Sequence, residues 1–249
     1  GLYSIILPSG LSLLAAFRQF IQNNNFLKYN KYMQVLKFGG SSVSNAENIN
    51  KMVEIIQKIR NKDKTIVVVS ALGGTTDALI NSVVLASQGD EQYKEKLHEI
   101  EKRHLEAVKQ LLPVAHQSSI LSLVKKSCNE MEDICNGVFL LQEISSRTKD
   151  SMISYGELLS SQIISARLNA AGAENVWVDS RRVIATNSNF ENAVVDFEAT
   201  NKKIHDYFSS TNASLFLVPG FVAADQNNVT TTLGRGGSDY TASVLAAAL

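Results

Sequence analysis

This 249-residue sequence predicts an α/β fold: a three-layer αβα sandwich around a mostly parallel sheet, with a helical insert. Three observations carry that expectation. A strand, a glycine turn and a helix occur twice in succession from Met33 onward. The runs Ile66-Val67-Val68-Val69 and Leu215-Phe216-Leu217-Val218 are apolar at every position, as in strands covered on both faces. Between those runs lie long stretches whose apolar residues recur at helical spacing.

In chain order, residues 1–32 read as a leader and linker outside the fold. Leu2 to Phe17 is mostly apolar but broken by Pro8-Ser9-Gly10, too short and interrupted for a membrane span, and no positive segment precedes it as in a signal peptide. Gln22 to Tyr32 is polar and Asn-rich, so Met33 is expected to open a domain spanning 33–249. Val35 to Phe38 reads as a strand ending at Gly39-Gly40, and Asn45 to Arg60 as a helix with Ile49, Val53, Ile56 and Ile59 on one face. Ile66 to Val69 is the second strand, and Gly73-Gly74 turns into a helix over about Thr76–Ser87. Two such units imply a βαβ layout with a right-handed crossover.

Glu91 to Leu112 and Ser118 to Ile144 then form amphipathic stripes separated by Pro113, a helical hairpin inserted over about 91–145. A further helix is expected over Ser151–Ala171, stopped by Gly172. Strands follow at Val176–Val178 and Val183–Thr186, a helix over Glu191–Phe208, a buried strand at Leu215–Val218 and a hairpin strand at Thr230–Leu233. An Ala-rich helix starts at Ser238.

Composition excludes several classes. Apolar residues make up 45% and charged residues 19%, as in a chain that buries a core. Lys plus Arg and Asp plus Glu each total 24, leaving no net charge to grip nucleic acid or an anionic membrane. Seven residues of helix would hold Cys128 and Cys135 roughly 10 Å apart, beyond the approximately 7 Å limit for a disulfide. Two free thiols point to a reducing, cytoplasmic setting. The four histidines show no metal-ligand spacing. No Walker A sequence, six-residue GxGxxG fingerprint or GxSxG elbow occurs.

What remains is a set of glycine-containing strand ends: Lys37-Phe38-Gly39-Gly40-Ser41-Ser42, Ser70-Ala71-Leu72-Gly73-Gly74-Thr75-Thr76-Asp77, Pro219-Gly220-Phe221 and Leu233-Gly234-Arg235-Gly236-Gly237-Ser238-Asp239. In open α/β sheets ligands bind beyond the carboxyl ends of strands. Glycines there let backbone N–H groups approach an anion, and a following helix adds partial positive charge. Lys37 stands inside an apolar strand, where a buried, unpaired ammonium is costly; it either projects into the crevice to neutralise phosphate or escapes to solvent from an edge strand. Arg235, among three glycines, suits a carboxylate clamp or is a solvated loop residue. Asp239 and Glu157 are each either functional or acids complementing a helix start.

Lys37-Phe38-Gly39-Gly40-Ser41-Ser42-Val43 resembles the opening K-F-G-G-[ST]-S-V signature of aspartokinases, in the amino-acid kinase family. Val68-Val69-Ser70-Ala71 with Thr76-Asp77, Tyr155-Gly156-Glu157-Leu158 as a helix start, Pro219-Gly220-Phe221 and Leu233 to Tyr240 resemble later family motifs in the same order. The insert and the Ala-rich end look most like the kinase portion of bifunctional aspartokinase–homoserine dehydrogenases.

The resemblance implies the amino-acid kinase fold and transfer of the ATP γ-phosphoryl group to the side-chain carboxylate of L-aspartate. That step opens threonine, methionine, isoleucine and lysine biosynthesis. By analogy, Lys37 binds phosphate oxygens, with Gly39, Gly40 and Ser41 as a backbone cradle. Arg235 clamps the aspartate α-carboxylate and Glu157 meets its ammonium. Ser70, Thr76 and Ser238 face substrate, Phe221 shapes the pocket, and Asp239 orients Lys37 or the metal-bound phosphates. Mg²⁺ bridges those phosphates, with no residue of this chain assigned as its ligand. The family also implies a homo-oligomer in the full-length protein and a chain continuing past the last helix. The expectation is therefore a fold incomplete at its C-terminus, an aspartate half-site and little kinase activity from these 249 residues alone. Another amino-acid or carbamate kinase, and a non-catalytic substrate-binding fragment, are the alternatives.

Overall fold

The computed structural model describes residues 33–59 and 64–249; the expected leader lies outside them. Strand β1 (Met33–Phe38) leads through α1 (Ala46–Ile59) to β2 (Lys64–Val69). Helices α2 (Thr75–Ser87), α3 (Tyr93–Leu111), α4 (Gln117–Leu141) and α5 (Ser146–Ala170) follow. After them come β3 (Val176–Trp177), β4 (Ala185–Thr186), α6 (Phe197–Ser210), β5 (Leu215–Pro219), β6 (Val222–Asp225), β7 (Thr230–Thr232) and α7 (Gly237–Ala248).

The main sheet has the order β1-β2-β5-β3, and every pairing is parallel. Its side chains alternate between two cores, as the pleat requires. Val67, Val69, Leu215 and Leu217 face the core shared with α1 to α5. Ile66, Val68, Phe216 and Val218 face a second core with Ile204 and Phe208 of α6 and Val244 and Leu245 of α7. The unbroken apolar runs are thus explained by burial on both faces, which makes three layers.

The helical hairpin is α3 against α4. Tyr93 at its open end stacks 5.5 Å from Phe139 and donates to Asn136 Oδ1 at 2.6 Å. Cys128 and Cys135 are buried and free, and burial pushes both thiols up to about 12. Among the described residues no helix is long and apolar enough to cross a membrane, and no cluster of His, Cys, Asp or Glu could hold a metal ion.

Four expectations change. Val183 and Ile184 are not strand: Asp179 accepts from Arg181 N at 3.1 Å, opening a 3₁₀ turn at Ser180–Arg182. Residues 191–196 are loop rather than helix. Asn187 Oδ1 accepts from Asn189 N and Val194 N, Glu191 takes a left-handed φ of 69°, and Asp196 caps a helix that starts only at Phe197. A second small sheet, β4-β6-β7, stands beside the first, with β6 and β7 forming the hairpin. Finally, α5 begins at Ser146, because Ser145 Oγ accepts from Thr148 N at 3.1 Å, a side-chain N-cap. Gly156-Glu157 therefore lies in mid-helix, not at a helix start.

Candidate active site

The carboxyl ends of β1, β2 and β5 meet the amino end of α7. Gly220 makes that approach possible. A Cβ there would lie 2.5 Å from Ser238 Cβ and 2.8 Å from its Cα, so only glycine admits the helix. Phe221, the next residue, holds a left-handed φ of 66°, which is strained for a bulky side chain. It is kept there by Thr241 Oγ1, which accepts from Phe221 N at 2.9 Å, and by Phe221 O, which accepts from Leu233 N at 3.0 Å. The Phe221 ring covers Gly237, where a Cβ would come within 2.6 Å of it.

On this junction Ser70 and Ser238 share a hydrogen bond of 2.8 Å between their hydroxyls. One residue on, Asp239 Oδ1 lies 2.8 Å from Lys37 Nζ. The Lys37 side chain is 24% exposed and that of Asp239 70%, so the pair sits at the mouth of the junction and Lys37 can release Asp239 toward a stronger anion. The ammonium folds back over the Gly39 backbone, where a Cβ would stand 3.2 Å from Nζ. Gly40 and Gly73 bring their two turns into contact, a Cβ at Gly73 falling 3.2 Å from Gly40 O. Helices α2 and α7 follow Gly74 and Gly236, both left-handed and without side-chain caps, and their first residues donate back into the glycine turns, Thr75 N to Leu72 O and Gly237 N to Gly234 O. Thr76 is half-buried on the first turn of α2, and Ser41 is exposed beside Ser42 and Asn48 in a recess of about 260 Å³.

Helix α5 closes the other side. Ser160 Oγ donates to Ser70 O at 2.7 Å. Gly156 lets α5 press on the β2–α2 turn, since a Cβ there would lie 3.0 Å from Ala71 Cβ. The next side chain, Glu157, is buried, and its Oε2 has no hydrogen-bond partner. Burial pushes its carboxyl up to about 8, against a backbone N–H from Ala71 that favours the charged form. A buried carboxyl with one empty oxygen is ready for a cationic donor.

Arg235 lies in the Leu233–Gly236 turn, directly before α7. It is exposed and makes no hydrogen bond or ion pair with the described residues. The structure therefore brings Lys37, Gly39, Gly40, Ser70, Glu157, Phe221, Ser238 and Asp239 around one junction, with Arg235 on the loop entering it.

Sequence reasoning missed two residues of this region. Arg103, on α3, donates from Nη2 to Ser44 O at 2.9 Å and tethers the insert to the glycine turns. Asp150, on α5, is fully buried and accepts from the backbone of Glu191 and Thr232. Neither sits in a glycine motif, and their partners are distant in sequence, so no local pattern marks them.

The residues present fit a phosphate-bearing ligand: an ammonium over a glycine backbone, and two uncapped helix starts. A divalent ion would depend on oxygens of that ligand: Asp239 is the carboxylate beside Lys37, and Mg²⁺ characteristically binds one or two carboxylates together with phosphates.

Comparison with known proteins is consistent across methods. Residues 33–249 match the amino acid kinase family model. The chain is 28% identical over 214 residues to the chloroplastic bifunctional aspartokinase/homoserine dehydrogenase 1 of Arabidopsis thaliana, covering 86% of this chain and 23% of that one. It is 31% identical over 223 residues to chloroplastic aspartokinase 1 of the same plant, covering 86% and 38%. The crystal structure of E. coli aspartokinase III in complex with aspartate and ADP superposes with a TM-score of 0.78 at 29% identity, covering 88% of this chain and 47% of that one. The chain thus spans between about a quarter and a half of these relatives.

Proposed function

The chain belongs to the amino acid kinase family, and from that premise we propose that it serves an aspartate kinase, in which a side-chain carboxylate oxygen of L-aspartate attacks the γ-phosphorus of ATP. The new O–P bond gives 4-phospho-L-aspartate, and the broken bond releases ADP. The acceptor is already an anion at neutral pH, so no general base is required. Catalysis rests on positioning and on stabilising charge in transfer.

The observation that carries this reading is the convergence of Lys37, the Ser70–Ser238 pair and the empty Glu157 oxygen at one strand-end junction. Lys37 moves from Asp239 to the phosphate oxygens, with the Gly39-Gly40-Ser41 backbone beneath them. Bound Mg²⁺ would supply charge neutralisation on those phosphates. Glu157 ionises against the substrate ammonium, and Arg235 takes the α-carboxylate by a bidentate fork. Ser70, Thr76 and Ser238 offer hydroxyls to the acceptor, and the strained Phe221 walls the pocket. The similarity to aspartokinases, and to one solved with aspartate and ADP, supports aspartate over other acids.

Two measurements test the proposal. Calorimetry of the 249-residue chain should show L-aspartate binding at least about tenfold tighter than L-glutamate or N-acetylglutamate, the margin expected when a site built for one carboxylate spacing meets another. Equal affinities would contradict it. In the full-length protein, trapping acyl phosphate as the hydroxamate should show ATP- and aspartate-dependent product, and these 249 residues alone should give little. Where turnover is measured, Lys37→Ala should lower it by roughly 100-fold or more with folding intact; a turnover that barely changes would remove Lys37 from this role.

A further inference from the structure

Asp150 is a buried acid with both oxygens satisfied, and its partners are not arbitrary. Its Oδ1 and Oδ2 each lie 3.0 Å from Glu191 N. Thr232 gives it a backbone N–H at 2.9 Å and a hydroxyl at 2.7 Å. Among the described residues no cation pairs with it; the neighbouring Lys149 instead reaches Glu191 Oε2 at 2.6 Å. A carboxylate held by donors of backbone and hydroxyl alone fixes main chain, not another side chain's charge.

The main chain that it fixes is the support of the Arg235 turn. Thr232 ends β7 and leads through Leu233 into Gly234-Arg235-Gly236. Glu191, in its left-handed conformation, supplies the surface on which that turn rests. A Cβ at Gly234 would meet Asn192 Oδ1 at 2.6 Å and Glu191 O at 3.3 Å. Ala193 N donates to Thr232 O at 3.0 Å, closing the loop onto the strand, and Gly237 N donates to Gly234 O at 3.0 Å, closing the turn itself. Asp150 lies at the centre of this arrangement, two helical turns before Glu157 on the same α5.

We propose that Asp150 is a positioning residue: by joining Glu191 to Thr232 it holds the turn that presents Arg235, and so sets the affinity for the amino-acid substrate's α-carboxylate. The proposal rests on the reading of Arg235 as that clamp. It makes α5 the common frame for both ends of the substrate, with Glu157 at the ammonium and Asp150 behind the carboxylate.

The test combines amide hydrogen exchange with aspartate titration of the 249-residue chain. Asp150→Ala leaves the buried Thr232 N–H and the half-buried Glu191 N–H without acceptors, each worth about a factor of ten. Exchange should accelerate by about that factor in peptides covering 189–193 and 231–237, and stay unchanged in β1, β2 and α2. Aspartate affinity should fall at least about tenfold. Asp150→Asn, which keeps the shape and one acceptor oxygen, should recover part of that loss. In an Arg235→Ala background, Asp150→Ala should cost nothing further, because residues acting through one contact are not additive. Should Asp150→Ala fail to fold, Asp150→Asn and Thr232→Val carry the same readings at smaller size. The proposal is overturned by unchanged exchange in the two loops, by acceleration spread through β1 and β2, or by an undiminished effect of the substitution without Arg235. Arg235→Ala alone separates the two failures. If it leaves aspartate affinity unchanged, the clamp reading has failed; if it weakens binding while the Asp150 variants do not, Asp150's role has failed.

Discussion

Asp150 and Glu157 are two buried carboxyls on one face-spanning helix, and they are treated in opposite ways. Asp150 has acceptors filled by Glu191 N, Thr232 N and Thr232 Oγ1. Glu157, two turns later, keeps Oε2 empty in a site where burial drives its carboxyl up to about 8. Burial raises the Asp150 carboxyl too, opposed by those same hydrogen bonds. A fold completes the polar groups it uses for itself, because an unpaired buried group is costly. One left incomplete at a junction of strand ends marks where a ligand finishes the structure.

That contrast can be broken most sharply at Glu157. Glu157→Gln should weaken aspartate binding on the order of 100-fold, the loss of a buried charge-assisted hydrogen bond worth about 3 kcal/mol. The same variant should be more stable than the parent at pH above 8. The sign follows from the raised folded-state value: relative to a freely titrating acid at 4.5, the carboxyl contributes stability that is full below 4.5 and lost as pH rises through about 8. A glutamine, which never ionises, does not lose it. Thermal melts from pH 5 to 9 measure this, and parallel pH curves for parent and variant would contradict it.

His104 sharpens the comparison from the other side. Its Nε2 is also buried and unpartnered, yet it lies on α3 within the main core, with Nδ1 2.7 Å from Ile100 O. Burial pulls it down to about 4. The unfolded chain therefore binds the extra proton between about 4 and 6.5, and stability falls as pH drops through that window, by about 3 kcal/mol in all. His104→Leu should remove that acid sensitivity and leave aspartate affinity within about twofold, since the hydrogen bond of this side chain stays within α3. An altered affinity would mean that empty polar atoms do not distinguish core from site.

The smallest effect is expected at the surface. Lys51 and Glu47 pair at 2.6 Å across one helical turn of α1, both well exposed. Lys51→Ala should leave the melting temperature and aspartate binding unchanged, as for an exposed pair screened by solvent.

Much of this arrangement was legible in the sequence because it is local. The apolar runs at 66–69 and 215–218 announced strands covered on both faces, and the glycine turns after Lys37, Ser70 and Leu233 announced strand ends that approach something closely. What stayed hidden is set by partners far along the chain. Glu157 read as a helix-start acid, because the capping of α5 by Ser145 is a weaker signal than Gly156. Gly156 is there for contact with Ala71, across 85 residues of sequence. The loop over 191–196 carried enough apolar residues to mimic a helix, and only Asn187 and Asp196, acting on their own neighbours, turn it away from one. Asp150 had no signal at all, since its meaning is the Arg235 turn 82 residues on from it at Thr232.

The most direct test is the proton count of substrate binding. Calorimetry of L-aspartate binding at pH 7, repeated in buffers of different ionisation enthalpy, reports protons released per mole bound. If Glu157 is neutral in the free site and ionises against the ammonium, binding should release about one proton, and Glu157→Gln should release none. Binding that releases no proton, or the same number in both chains, would contradict the assignment of the empty carboxyl to the substrate.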